Sequence, residues 1–272
     1  MTVNEWLRMA SKRLKHAGID SPRLDAEVMA AHILRVGRPW LFAHPEADMP
    51  ELAGEALLAR REHREPLSYI VGGREFYGRW FKATPAVLIP RQDTEVLVET
   101  ALALPRGAQT VLDLGTGSGC IGITLALERP NWTVTASDIS AAALALAEEN
   151  AESLDVGVAF ILSDGFEALT HQTFDLIVTN PPYIGTYEPL MPEVFQFEPH
   201  LALFAGETGY EFYERLAREA YLYLNHSGSL MMEVGYQQAD HVAKLFAHEK
   251  WVLSGTQHDL SGIARVLTMQ RA

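Results

Sequence analysis

The sequence predicts an α/β fold: a mostly parallel sheet with an antiparallel edge hairpin, preceded by a small helical domain. Three observations carry this. From residue 110 onward, short apolar and β-branched runs alternate with helical patterns, as in strand–helix–strand units. The last two runs, 251–258 and 264–269, have no helix between them and so pair as a hairpin at one edge. The first seventy residues show only helical periodicity. The chain has 272 residues, 48% hydrophobic and 21% charged, an ordinary soluble composition that can bury a core without staples.

Within residues 1–70, Val3, Leu7, Ala10, Leu14 and Ala17 fall on one helical face. Thr2 and Glu5 fit a capping box, and Gly18 stands where the helix stops. Ser21-Pro22 opens a second helix, which Gly37 and Pro39 are expected to end. A third runs from Glu51 to Glu65 and stops at Pro66. This bundle carries no chemical motif, and it serves either as a packing module or as a docking surface for a macromolecule. Residues 71–92 read as a linker containing a hairpin, because short aromatic runs flank Gly78. Residues 93–272 form the α/β domain.

Its strands are expected at 110–114, 132–137, 158–162, 174–179, 229–234, 251–258 and 264–269. Helices are expected at 120–129, 140–151 (capped by Ser140), 209–224 and 237–248. In such sheets ligands bind beyond the carboxyl ends of the strands, near the point where strand order reverses.

Composition narrows the chemistry. Lys and Arg total 22 against 35 Asp and Glu, a net charge of −13. Proteins whose affinity comes mainly from nucleic-acid phosphates need a basic face instead. One cysteine, Cys120, excludes an internal disulfide and agrees with a reducing cytoplasm. The opening residues lack the apolar run of a signal peptide, and no stretch approaches the roughly 20 apolar residues of a membrane helix. The ten histidines form no metal-ligand array, so no zinc site is expected. Ser118 is not in a nucleophile elbow, since Thr116 precedes it by two.

The first strand runs into Asp113-Leu-Gly115-Thr116-Gly117-Ser118-Gly119. Glycines allow a tight turn and close approach of a ligand to the backbone, and the following helix offers free N–H groups. Gly117, Gly119 and Gly122 fit the dinucleotide pattern G-x-G-x-x-G. Gly115, Gly117 and Gly119, with Asp113 ahead, resemble the first motif of S-adenosylmethionine-dependent methyltransferases. Asp138 ends the second strand, where its carboxylate can accept ribose hydroxyls of either cofactor. Asp164, with Gly165 beside it, follows the third strand; it can accept from an adenine amino group or act as a turn residue.

The fourth strand is followed by Asn180-Pro181-Pro182-Tyr183, which favours a planar NH₂ acceptor over hydride transfer. Asn180 offers a side-chain carbonyl, and Pro181, with no N–H, keeps its backbone carbonyl. Two acceptors can hold both hydrogens of one NH₂ group. Tyr183 is expected to stack on the flat face of the amide or base, and the prolines limit the conformations lost on binding. The tetrapeptide serves adenine amines and glutamine amides alike. No general base is evident.

Together these residues resemble the HemK/PrmC family, the glutamine methyltransferases of peptide-chain release factors. The matches are Leu88-Ile-Pro-Arg91-Gln-Asp93-Thr94-Glu95, Asp113–Gly119, Asn180–Tyr183, Phe197-Glu198-Pro199 and Asp259-Leu-Ser-Gly-Ile-Ala-Arg265-Val266. They fall in the family's order within residues 66–269. Gln92 stands where the family usually has proline. The resemblance implies a Rossmann-like methyltransferase fold and transfer of a methyl group from S-adenosyl-L-methionine, leaving S-adenosyl-L-homocysteine. The acceptor it implies is the glutamine of the Gly-Gly-Gln loop of class I release factors, so that the enzyme supports translation termination in the cytoplasm. It further implies that Asp113, Gly115, Thr116, Gly117, Ser118, Gly119, Asp138, Asp164, Gly165 and Asn180 bind cofactor. Asn180–Tyr183 would be catalytic, and Arg91 and Glu198 would shape the substrate site. Relatives that methylate a ribosomal-protein glutamine share the tetrapeptide, and an adenine methyltransferase of DNA or RNA is the alternative class.

Overall fold

The computed structural model describes residues 1–104, 109–247 and 250–272. The chain divides into two compact units: Met1–Gly73 with Leu190–Phe197, and Arg74–Pro189 with Glu198–Ala272. Most of the expected linker thus belongs to the second unit.

The first unit is helical: α1 (Val3–His16), α2 (Pro22–Leu34), α3 (Arg38–Ala43), α4 (Glu51–Glu62) and α5 (Leu67–Val71). Val3, Trp6, Leu7, Ala10 and Leu14 of α1 bury one face against Ala26, Met29 and Ala30 of α2 and Leu58 of α4. Gly54 is required there, because a Cβ on it would lie 2.4 Å from Trp6 Nε1. Buried Asp25 is held by Arg61 at 2.7 Å and by the Ser21 hydroxyl at 2.7 Å. Two expectations are corrected. Gly37 and Pro39 do not end α2, which stops at Leu34 with Arg35 in the left-handed region; they begin α3, with Gly37 at its N-cap. Pro66 likewise begins α5 after α4 has ended at Glu62. Proline marks a helix's first turn as readily as its end.

The capping box on α1 is present: Thr2 Oγ1 accepts from Glu5 N at 3.2 Å, and Glu5 Oε2 accepts from Thr2 N at 2.8 Å. Thr2→Ala should therefore lower stability by about 1 kcal/mol in urea denaturation. An unchanged midpoint would mean that water replaces the cap at no cost.

A hairpin, β1 (Gly73–Phe76) and β2 (Arg79–Lys82), turns at Tyr77-Gly78, both with positive φ. The next elements are α6 (Glu95–Leu102), β3 (Thr110–Leu114), α7 (Cys120–Glu128), β4 (Thr133–Asp138), α8 (Ala141–Ser153), β5 (Ala159–Leu162), β6 (Phe174–Thr179) and β7 (Ile184–Gly185). They are followed by α9 (Pro192–Phe197), which lies in the first unit, then α10 (His200–Leu203), β8 (Phe204–Gly206) and α11 (Glu211–Glu219). The chain closes with β9 (Leu224–Glu233), α12 (Ala239–Leu245), β10 (Trp251–His258) and β11 (Ala264–Arg271).

The main sheet has the order β10-β11-β9-β6-β3-β4-β5, with β11 antiparallel to both neighbours and the other pairs parallel. The expected edge hairpin is therefore present. Both faces are covered, which is why the strands read as continuous apolar runs. Val111, Leu176 and Val178 pack with Leu97 of α6 and Ile121 of α7 on one face. Leu112, Leu114 and Ile177 pack with Tyr213 of α11 and Val242 of α12 on the other. The sequence reading missed α6, and it extended the last helix to His248, which lies outside the described residues. The strand order reverses between β3 and β6, so the loops after these strands meet at the carboxyl edge.

Candidate active site

A cavity of about 300 Å³ opens at that edge. The loop after β3 forms its floor. Gly115 and Gly117 have φ of +73° and +56°, and open space lies where a Cβ would stand. Their bare backbone faces the cavity together with Thr116 and Ser118. Two residues of this motif do not line it. Asp113 is fully buried, and its Oδ2 accepts from Thr116 Oγ1 at 2.6 Å and from Gly122 N at 2.8 Å. It braces the loop from below, and burial pushes its carboxyl up to about 6. Gly119 is a packing residue, since a Cβ would stand 2.6 Å from Ile123 Cδ1. The side chain of Asn150, which no motif marked, clamps the loop by donating to Ser118 O at 2.9 Å and to Lys82 O at 3.2 Å.

Asp138 lies at the end of β4, as expected. Its Oδ2 accepts from Gly117 N and its Oδ1 from Ser140 N, both at 2.9 Å. Desolvation nevertheless raises its pKa above the ordinary carboxylate value. Each oxygen keeps a lone pair for a ligand hydroxyl. Asp164 and Gly165 reach the rim after β5. Asp164 Oδ1 pairs with Arg215 of α11, which leaves Oδ2 as an acceptor for a ligand amine. Gly165 has a φ of +54°, which favours glycine, and the Arg215 guanidinium carbon would stand 2.7 Å from a Cβ there. Arg215 also lines the cavity, and the sequence held no signal for it.

Beyond β6, Asn180, Pro181 and Pro182 line the cavity. Thr179 Oγ1 donates to Leu114 O at 2.7 Å and so ties the end of β6 to the end of β3. Asn180 Nδ2 donates to Thr94 Oγ1 at 3.2 Å, which leaves Oδ1 as the acceptor. Tyr183 departs from the expectation: it is not among the lining residues. Its ring lies against Gly235, with Cδ2 3.0 Å from the Cβ position, and its carbonyl accepts from Gln238 Nε2 at 2.9 Å. Burial pushes its phenol up to about 12, so it stays protonated. Cys120 borders the cavity, and burial likewise raises its thiol to about 12, which removes it as a nucleophile.

Motifs far apart in sequence meet around this cavity. Arg91 lines it and pairs with Glu198 at 2.6 Å, while Glu198 Oε2 accepts from Ile89 N at 3.2 Å. Glu198 is buried outside the lining and fixes the 88–91 wall. Arg265 pairs with Asp93 at 2.7 Å and Asp259 at 2.8 Å, joining the last motif to the first. Gln92 opens a single 3₁₀ turn, Gln92–Thr94, at a first-turn position that proline also suits.

Residues 91–189 match the family model for the methyltransferase small domain, and residues 5–72 match that for the PrmC N-terminal domain. The chain is 43% identical to the release factor glutamine methyltransferase of Koribacter versatilis, over 98% of each chain. It is 44% identical to the enzyme of that name from Bordetella pertussis, over 90% of this chain and 93% of the relative. A methyltransferase structure from Pyrococcus furiosus superposes with a TM-score of 0.55 at 18% identity, covering 72% of this chain and 90% of that one, and so shares the fold. On these grounds the chain belongs to the release factor glutamine methyltransferase family.

Proposed function

We propose that the protein methylates the side-chain amide nitrogen of the glutamine in the Gly-Gly-Gln loop of class I peptide-chain release factors, with S-adenosylmethionine as methyl donor. The family to which the chain belongs supports the substrate, and the orientation of Asn180 supports the chemistry, transfer to an NH₂ nitrogen. The Asn180 amide nitrogen is committed to Thr94, so its oxygen is left to accept from an NH₂ group at the cavity, beside the glycine loop.

The cavity suits the donor. The space over Gly115 and Gly117 is what a Cβ would fill, and Asp138 keeps acceptor capacity for ribose hydroxyls. Gly115–Ser118, Asp138 and Ile139 would hold the cofactor. S-adenosylmethionine supplies an electrophilic methyl group on a sulfonium sulfur and leaves as S-adenosylhomocysteine. Asn180 Oδ1 and the Pro181 carbonyl take the two hydrogens of the acceptor amide and aim its nitrogen. Holding the reacting atoms about 3–3.5 Å apart supplies much of the acceleration. Both hydrogen bonds strengthen as positive charge develops on the nitrogen. Arg91 and Glu198 shape the wall where the acceptor loop enters.

With release factors as its partners, the enzyme would act in the cytoplasm. Among the described residues, no helix is long and apolar enough to cross a membrane. The net charge of −13 opposes a polyanionic substrate.

Asp138→Ala should weaken S-adenosylhomocysteine binding by about 1–3 kcal/mol, since ribose hydroxyls lose a charged acceptor and Gly117 and Ser140 lose theirs. Titration calorimetry reads this directly. An unchanged Kd removes Asp138 from the site.

A further inference from the structure

Arg215 lines the cavity but has no part in the chemistry described so far. It stands on α11 three residues after Phe212, which also lines the cavity, while the neighbouring Tyr213 and Leu216 enter the core. Each nitrogen of its guanidinium is tethered. Nη1 donates to Asp164 Oδ1, Nη2 to the Asp164 carbonyl at 3.0 Å, and Nε to Glu219 Oε2 at 3.1 Å. The N–H groups of a guanidinium point outward in its own plane, so three such bonds fix how the plane is turned.

One face of that plane is turned to Gly165. A Cβ on Gly165 would stand 2.7 Å from Arg215 Cζ, 2.8 Å from Nη2 and 3.0 Å from Nε. A point beyond the edge of a guanidinium is nearer to a nitrogen than to the central carbon. Here the carbon is nearest, so the group lies flat over the glycine, in the space a side chain would fill. Its edge is engaged by Asp164 and Glu219 and one face by Gly165, which leaves the opposite face. The side chain keeps 23% of its surface exposed.

The strand order fixes which part of the cofactor lies there. Along the carboxyl edge the strands run β6, β3, β4, β5, followed in turn by Asn180, the glycine loop, Asp138 and Asp164. In S-adenosylmethionine the sulfur and the base leave the ribose on opposite sides. With the ribose on Asp138 and the methyl group toward Asn180, the base extends toward Asp164 and Gly165. A purine is flat, and a guanidinium is flat, cationic and stacks on aromatic faces. We propose that Arg215 is a binding residue for the adenine of the cofactor, its free face forming the platform on which the purine ring stacks. The proposal rests on the placement of S-adenosylmethionine given above.

The test is titration calorimetry of the full-length enzyme with S-adenosylhomocysteine and with S-inosylhomocysteine, in which an oxygen replaces the amino group of the base. Arg215→Lys keeps a cation within reach of Asp164 but loses the flat face. It should weaken S-adenosylhomocysteine binding by about three- to thirtyfold, the range for a cation stacked on an aromatic ring. S-inosylhomocysteine should lose the same factor, because stacking does not involve the amino group. A loss confined to S-adenosylhomocysteine would mean that Arg215 only holds Asp164 as an acceptor for that group, and would overturn the platform. A second measurement needs no substitution: in the wild-type enzyme, nuclear Overhauser contacts are expected between the adenine ring protons and the Arg215 side chain, and their absence would overturn the platform as well. Wild-type affinity in Arg215→Lys, with Asp138→Ala weakened, would overturn the platform alone. Wild-type affinity in both variants would instead overturn the placement of the cofactor.

Discussion

Asn180→Ala should lower the rate of release-factor methylation by at least about a hundredfold, roughly 2.7 kcal/mol of transition-state stabilisation, while the protein stays folded. The substitution removes the side-chain carbonyl that aims the acceptor nitrogen and strengthens its hold as charge develops. It leaves Thr179 and its bond to Leu114 in place, so the end of β6 keeps its position. S-adenosylhomocysteine affinity should change far less than kcat. Single-turnover methylation, with circular dichroism as the check on folding, measures both. Tyr183 gives a contrast. Its ring lies against Gly235 and outside the cavity lining, so Tyr183→Phe should cost little. Tyr183→Ala should cost more, because it withdraws the packing behind the turn. A Phe variant as damaged as the Ala variant would give the hydroxyl a part in the reaction.

The α/β architecture was legible because its strands are buried on both faces and its helices are amphipathic, so period and order survive in the sequence. The bounds of β3, β6 and β10 coincide with the expected runs. Boundaries failed where proline was read as a terminator: Pro39 and Pro66 open helices instead. The helix α6 left little trace in the sequence because its 8 residues are too few to show a helical period.

The candidate site was partly legible for a different reason. Its backbone-bearing parts, Gly115, Gly117 and Asn180–Pro182, are contiguous motifs at strand ends. Asp113 was visible but misplaced, since a carboxylate beside a glycine loop can face the ligand or brace the loop, and only packing separates the two. Tyr183 was misplaced likewise: its spacing gave proximity but not direction. Arg215 and Asn150 carried no motif because their partners lie far away in sequence, at Asp164 and Ser118. The pairs Arg91–Glu198 and Arg265–Asp93 explain why separate short motifs occur together: each supplies half of an ion pair beside the cavity.

The enzyme's identity turns on its acceptor. Glutamine and adenine present the same NH₂ group, so Asn180–Pro182 cannot separate them, and charge and accessibility must. A chain of net charge −13 is repelled by a polyanion, and extruding a base from a duplex costs a few kcal/mol more. A glutamine on an exposed protein loop meets neither obstacle. The most direct measurement is transfer of labelled methyl from S-adenosylmethionine to release factor, to release factor with its loop glutamine replaced, and to DNA and RNA. It should be run at low salt, where nucleic-acid binding is strongest. Labelling of the intact release factor alone is expected, with replacement of the loop glutamine abolishing it. Persistent labelling of the substituted factor, or robust labelling of nucleic acid, would contradict this acceptor.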